Sequence, residues 1–465
     1  MKREITGPKG HFLLGSIKPF AQDLLNFMTD NRKEHGDFVH FKLGPIDSYL
    51  VSRPHLIRQI LVTDQNKFIK NRSFWKHFKG VFGLGLLTNE GDSWRTHRKL
   101  SAPAFQPKRI ANYADFMVQY TQDMMSKWQE GQTIELHDEM MEVTAKIVAK
   151  ALFDADLGDD NEALLEAMHT LEELIPVRMA RPFTWQDWLP IRSNFRYWSA
   201  LKQLNSVIGN FISHHREQEE QGYEGNSLLS VLMKAEYDDG SRMSNKQLRD
   251  EVITLFLAGH DTTAITLSWA LYLLSLHPDI REKLEEELDT VLAGREPSWD
   301  DLKTLPYTRS VIKETLRLYP AAHLIGREPI EDIVLDGITI KKGSTVLVSP
   351  WLMGREKQYF ESPLEFKPER WTPEFEKDLP KGVYFPFSSG PRVCIGEGFS
   401  MMEAIILLAS ITQSFRLDYH SSEPVTPFPS ITLTPGGGMK MKVSARTSQL
   451  TSDSSSTGSE TAELA

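Results

Sequence analysis

One cysteine in 465 residues is the scarcest feature of this chain. A lone thiol forms no intramolecular disulfide and builds no zinc site with other cysteines. Basic excess is missing too. The chain has 53 Lys and Arg against 63 Asp and Glu, a net charge of −10, and this excludes the broad basic footprint of a general nucleic-acid binder. No run of ~20 apolar residues of the kind a spanning helix needs occurs, and the polar start Met1-Lys2-Arg3-Glu4-Ile5-Thr6 lacks a secretory pattern. Internal repeats are absent, as is any appended flavin- or nucleotide-binding module. These absences lead to the expectation of a soluble, cytoplasmic protein without a membrane anchor.

What is present suits a large core: 40% of residues are hydrophobic and 25% charged. Residues from about Asp37 to Arg53 and from Ile333 to Ser349 read as strands, the second stretch carrying the hairpin signal Asp336-Gly337. Most of the remainder has helical periodicity interrupted by prolines. The expected fold class is mainly α with a minor β region, in a single domain over residues 1–445. Residues 446–465 are rich in Ser and Thr, bury too little apolar surface to offset their ordering entropy, and read as a disordered tail.

Two segments stand out. Cys394 lies in Phe387-Ser388-Ser389-Gly390-Pro391-Arg392-Val393-Cys394-Ile395-Gly396, just before the apolar helical run from Gly398 to Ala409. A cysteine near a helix start meets the positive end of the macrodipole and unpaired N–H groups, both of which favour thiolate. The bland alternative is a small buried hydrophobe. The second segment is a helix from about Ser244 to His277, opened by the capping-box pattern Ser244-Asn245-Lys246-Gln247 and stopped by Pro278. Its apolar course is broken by Ala258-Gly259-His260-Asp261-Thr262-Thr263, at a cost in helix propensity and desolvation. A helix bent by threonines bonding back to carbonyls one turn earlier would account for the threonines alone.

The first segment resembles the cysteine-pocket signature of the cytochrome P-450 family, Phe-x-x-Gly-x-Arg-x-Cys-x-Gly, at Phe387, Gly390, Arg392, Cys394 and Gly396. The second resembles that family's oxygen-binding pattern, Ala/Gly-Gly-x-Asp/Glu-Thr-Thr/Ser. Three further motifs follow the same order. Trp94 and Arg98 match Trp-x-x-x-Arg, Glu314 and Arg317 match Glu-x-x-Arg, and Arg370 lies in Pro368-Glu369-Arg370-Trp371. Alone, Glu314 and Arg317 would read as a surface ion pair. One departure is visible: Gly354, before Arg355, stands where members often carry histidine. The resemblance spans roughly Gly7 to Val443.

The resemblance implies a haem-thiolate monooxygenase with haem b between the central long helix and the cysteine-loop helix. Cys394 would be the axial ligand of the iron, and such ligation pushes electron density toward O–O cleavage. Ala258 and Gly259 would leave room for O2 and open the helix locally. Thr262 would hydrogen-bond the oxygen undergoing reduction, and Asp261 would relay protons from solvent. Trp94, Arg98, Arg327 and Arg392 would hold the propionates, with His97 either a further contact or a plain surface residue. Glu314, Arg317 and Arg370 would form a buried structural cluster.

Phe74, Phe78, Phe82, Leu84, Ala322, Leu324 and Leu433, with His323 and Ile431, would line a pocket for an apolar substrate such as a fatty acid, terpenoid or steroid. Lys70, Arg72 and Lys76 suit either a substrate carboxylate or a solvated loop. With no fused reductase, electrons would come from a ferredoxin or flavodoxin with its reductase, docking on Arg95, Lys99, Lys108, Arg109 and Lys381. A monomer is expected. Two other functions stay open on the residues, a peroxide-driven peroxygenase or isomerase and a non-catalytic haem sensor. The intact Asp261–Thr262 pair disfavours both.

Overall fold

The computed structural model describes residues 6–154, 160–179, 184–222 and 227–446. Five helices position the site. We name them α1 (Gly91–Ser101), α2 (Leu136–Phe153), α3 (Asn245–Leu276), α4 (Pro306–Leu318) and α5 (Glu397–Ser414). The predicted central helix is α3, one residue shorter at each end. Its start is held by the expected capping box: the Ser244 hydroxyl accepts from the Gln247 amide at 3.3 Å, and the Gln247 side chain accepts from the Ser244 amide at 2.9 Å. From Thr263 to Leu274 every α3 residue is buried, so this half runs through the largest hydrophobic cluster of the protein. Helix α2 packs across it, with the Thr144 hydroxyl donating to the His260 carbonyl at 3.1 Å.

The strands are β1 (Phe38–Leu43), β2 (Ile46–Val51), β3 (Phe68–Lys70), β4 (Thr133–Glu135), β5 (Ile325–Pro329), β6 (Ile333–Leu335), β7 (Ile338–Ile340), β8 (Thr345–Val348), β9 (Phe415–Tyr419), β10 (Thr426–Pro429), β11 (Leu433–Gly436) and β12 (Lys440–Ala445). The largest sheet has the order β1-β2-β8-β5-β3, with β2 and β8 parallel and the other pairs antiparallel. Its register sets Lys70 opposite Arg327, a pairing that matters at the site. Asp336 and Gly337 both take positive φ, 47° and 79°, as a tight hairpin between twisted strands requires.

Helices dominate and sheets are small, as expected. The domain boundary needs one correction. Arg446, expected to begin the tail, belongs to the fold: its amide donates to the Ser414 carbonyl at 2.8 Å, and its buried guanidinium pairs with Glu285 and Asp289. The rest of the expected tail lies outside the described residues. Among the described residues, no helix is long and apolar enough to cross a membrane.

Candidate active site

The middle of α3 carries an anomaly. Ala258 is exposed and Leu255, Asp261 and Thr262 are only half-buried, although the helix is packed on both sides of this stretch. At 3.6 residues per turn, positions 255, 258 and 262 share a stripe, so one face of a core helix opens onto free space. The helix itself stays continuous, which corrects the expectation of a local opening. The hydroxyls of Thr262, Thr263 and Thr266 donate to the carbonyls of Ala258, Gly259 and Thr262 at 2.8, 3.2 and 2.8 Å. Gly259 does not face the open stripe. A Cβ there would lie 3.2 Å from a methyl of Val148, so the glycine serves the close approach of α2.

Cys394 is the second accessible group in a packed setting. Its side chain is exposed, yet the surrounding protein desolvates the sulfur and pushes the thiol up. The amides of Gly396 and Glu397, at the start of α5, and the Arg98 guanidinium act in the opposite sense. The loop is shaped by Ser388 and Gly390, both at positive φ, and the Cys394 amide donates to the Phe387 carbonyl at 2.9 Å.

Beside the thiol stands a group of cations short of anions. Arg392 stacks on Trp94, 3.7 Å from the ring centroid, donates to the Asn89 carbonyl at 3.0 Å, and pairs with Glu90. Arg327 is buried and, among the described residues, bonds only to the neighbouring Gly326 carbonyl at 3.1 Å; burial, with Arg392 nearby, depresses it to about 10. Arg98 has no carboxylate partner among the described residues, and burial lowers its pKa. Lys70 is a member that sequence reasoning placed at the pocket mouth. Burial first, and then Arg392 and Arg327, bring it down to about 7, and its ammonium touches the Leu87 carbonyl. Among the described residues Glu90 is the carboxylate that serves this group: one oxygen pairs with Arg392, the other accepts from the Lys70 amide at 3.0 Å, and its charge also acts on Lys70 and Arg327, while Arg98 stands apart from it. Such a deficit fits a dianionic ligand, and the two propionates of a haem supply that charge.

The opposite balance holds around Glu314. This fully buried carboxylate accepts two bonds from Arg317 at 2.8 Å each, one from Arg370 at 2.9 Å, one from the Trp371 indole at 2.9 Å and one from the Lys367 amide at 3.0 Å. Trp371 stood in the quoted motif without a role, and the structure gives it one. Arg317 also donates to the carbonyls of Gly354, Pro363 and Glu365. Gly354, the departure from the family pattern, packs directly on it: a Cβ at that position would fall 2.3 Å from the Arg317 carbonyl oxygen.

The remaining expected residues divide. Leu84 and Ala322 are exposed, Phe74 is marginally so and Leu324 is half-buried. Phe78, Phe82 and Leu433 are instead core residues. Phe78 and Phe82 pack in the main cluster, and Leu433 packs with Leu25, Phe27 and Val39. His323 is also buried, with its Nδ1 unpartnered, rather than lining the pocket. His97 is neither a propionate contact nor a surface residue: it is buried and pairs with Glu251 at 2.6 Å. Arg72 is held by Glu328, and Arg95 and Lys99 are exposed with acidic neighbours Asp92 and Asp238.

Burial pushes Asp261 up to about 6. Sequence reasoning missed Glu403. It is fully buried on α5 beside Thr263, neither oxygen has a completed hydrogen bond, and burial raises it well above the carboxylate range. A single acid in an apolar helix gave no sign of this.

The comparisons agree with this geometry. The family model described as cytochrome P-450 matches residues 5–442. The chain is 35% identical over 442 residues to cyclooctatin synthase of Streptomyces melanosporofaciens, covering 93% of this chain and 94% of that one. It is 31% identical over 443 residues to pentalenene oxygenase of Streptomyces avermitilis, covering 95% and 97%. Against cyclooctat-9-en-7-ol 5-monooxygenase of Streptomyces melanosporofaciens the identity is 32% over 416 residues, covering 89% of each. With an accessible thiol, an opened helix face and a cation group awaiting carboxylates already in place, the match over nearly the whole length settles the assignment: the chain belongs to the cytochrome P-450 family and is a haem-thiolate monooxygenase.

Proposed function

We propose that the protein hydroxylates an apolar, terpenoid-like substrate, using O2 and two electrons from a separate ferredoxin or flavodoxin with its reductase. One observation carries the site assignment. The only cysteine and the only opened stretch of the central helix are both accessible inside otherwise packed surroundings. Bound haem supplies the oxygen-activating chemistry, and the chain's own groups do the rest. Cys394 would hold the iron through its thiolate. Arg98, Arg327, Arg392 and Lys70 bind the propionates, and Trp94 fixes Arg392 from one side. Ala258 keeps the helix wall low where O2 must fit. Thr262 presents a hydroxyl to the cavity, and Asp261 moves protons toward it.

The terpenoid class is supported by the relatives named for pentalenene and cyclooctat-9-en-7-ol. A fatty acid is less well served, because Arg72 is occupied by Glu328 and Lys70 faces the other cations. The donor would dock on the exposed bases Arg95, Lys99, Lys108 and Lys381 with the half-buried Arg109 beside them, and we place the enzyme in the cytoplasm as a monomer.

The test pairs two variants. Cys394→Ser should lose the ferrous carbon-monoxide absorption characteristic of thiolate ligation. Thr262→Ala should keep that absorption and haem loading while yielding less product, and more hydrogen peroxide, per reducing equivalent. Retention of the absorption in the first variant removes the ligand assignment. Unchanged coupling in the second makes Thr262 a helix residue only.

A further inference from the structure

We propose that Glu251 is a positioning residue for the haem, setting from α3 the places of the cations that hold the propionates. The inference rests on the propionate reading above. Glu251 is fully buried on α3. It lies about 10 Å along the axis from Ala258, on the stripe that opens at Ala258 and Thr262. Its two oxygens serve two different elements. Oε1 lies 2.6 Å from Nδ1 of His97 on α1, and Oε2 accepts from the Leu86 amide at 3.1 Å. His97 is buried as well, and its Nε2 lies 3.4 Å from the Tyr237 hydroxyl, so the ring is held at both nitrogens.

Both elements lead to the cation group. On α1, His97 stands one turn beyond Trp94, whose ring carries the Arg392 guanidinium at 3.7 Å, and directly before Arg98. The second element is the turn-rich segment 86–90. The Leu87 carbonyl meets the Lys70 ammonium, and the Asn89 carbonyl accepts from Arg392 at 3.0 Å. Glu90 pairs with Arg392 and accepts from the Lys70 amide at 3.0 Å. The segment is pressed onto α3 where it begins. A Cβ at Gly85 would fall 2.4 Å from the Asp250 carbonyl oxygen, and the Asp250 carboxylate accepts from the Leu84 amide at 2.9 Å. The amides of Thr88 and Asn89 both donate to the Gly85 carbonyl at 2.9 Å, which stiffens the run between α3 and the cations. One carboxylate thus joins the two elements from which Arg98, Lys70 and Arg392 take their places, and it acts on them through His97 and Leu86.

Bonds to an ionised carboxylate hold their donors more firmly than neutral ones, so its loss should let α1 and segment 86–90 shift. The experiment uses the haem-loaded protein and the variants Glu251→Leu, Glu251→Gln, His97→Leu, His97→Asn and Arg392→Gln. Haem transfer to excess apomyoglobin measures retention. The propionate bending bands of the resonance Raman spectrum report hydrogen bonding at the propionates, which a general loss of stability would not move. Glu251→Leu should release haem about tenfold faster or more, the scale of one hydrogen bond to a charged group, with shifted bands. Glu251→Gln keeps the shape and can fill both bonding positions; it should fall between Glu251→Leu and the parent, and it carries the test should Glu251→Leu not fold. His97→Leu should reproduce part of the loss, and His97→Asn, whose amide replaces the Nδ1 donor, should recover it. If Arg392→Gln shifts the bands while the Glu251 variants leave them where the parent has them, whatever their thermal midpoints, this inference is overturned and the propionate reading stands. If Arg392→Gln changes neither bands nor release, the propionate reading falls and takes this one with it.

Discussion

Glu314 and Arg327 are both buried charges, and the chain treats them in opposite ways. Glu314 accepts five hydrogen bonds, two of them from Arg317, whose every N–H is used. Arg327 finds one neighbouring carbonyl and faces further cations. Burying a charge is costly unless partners replace water. A cluster with complete pairing is finished as it stands, and its job is to hold the fold. A cluster with too few anions is finished only by something from outside. Burial alone does not separate a structural charge from a binding one; the state of the pairing does.

The sharpest way to break this comparison is Arg317→Leu. It strands Glu314 without its bidentate partner, at a typical cost of ~3–5 kcal/mol. Against a total stability of ~5–15 kcal/mol for most domains, this should depress the thermal midpoint and the yield of haem-loaded protein severely. An unchanged midpoint would mean that the cluster contributes nothing to the fold.

Lys70→Met makes the reverse case and should have a smaller effect. Removing a buried, underpaired cation should leave the haem-free chain at least as stable as the parent while weakening haem retention. The pH dependence fixes the sign. The folded haem-free chain holds Lys70 near about 7, whereas an unfolded lysine titrates at ~10.4. Between those values the unfolded chain binds more protons, so the parent gains stability as pH rises from 7 toward 10 and loses it as pH falls. That rise should be missing from Lys70→Met, and reduced in the parent once propionates hold the lysine charged. Thermal melts of both proteins, with and without haem, decide it. A variant that retains haem as tightly as the parent would exclude Lys70 from the binding group.

The smallest effect belongs to a charge outside both clusters. Lys99 meets Asp238 at 3.4 Å with both side chains largely in solvent. Lys99→Glu should therefore move stability by less than ~1 kcal/mol. It should still slow reduction by an acidic ferredoxin, and that slowing should shrink as salt is added. Equal reduction rates at low salt would take Lys99 out of the donor surface.

What the sequence disclosed follows from the same physics. Cys394 and Thr262 announce themselves because their residue types are costly where the surrounding pattern puts them, whereas Arg98 and Glu314, ordinary helix-face charges on their own, are legible only through the family motifs. The ends of the central helix are legible because a capping box and a proline act within a few residues. The hairpin at Asp336-Gly337 is legible because both positions take positive φ. Partners distant along the chain are not legible. His97 gives no hint of Glu251, 154 residues away. Nor does Glu403 reveal its isolation. Phe78 and Leu433 mark the other limit, since an apolar side chain advertises burial and leaves its direction unstated. Core wall and pocket wall read alike until the backbone is placed.

The saturation of Arg317 also bears on the order of events in folding. The stretch from Gly354 to Trp371 is built of short local turns rather than ladder or long helix, and its long-range anchoring includes bonds to Glu314 and Arg317. Those contacts span 37 to 57 residues along the chain. Closing loops of that length is paid for in entropy before any contact rewards it. The local turns of the stretch are set by neighbouring backbone bonds, but their placement on the rest of the fold depends on α4 presenting both side chains.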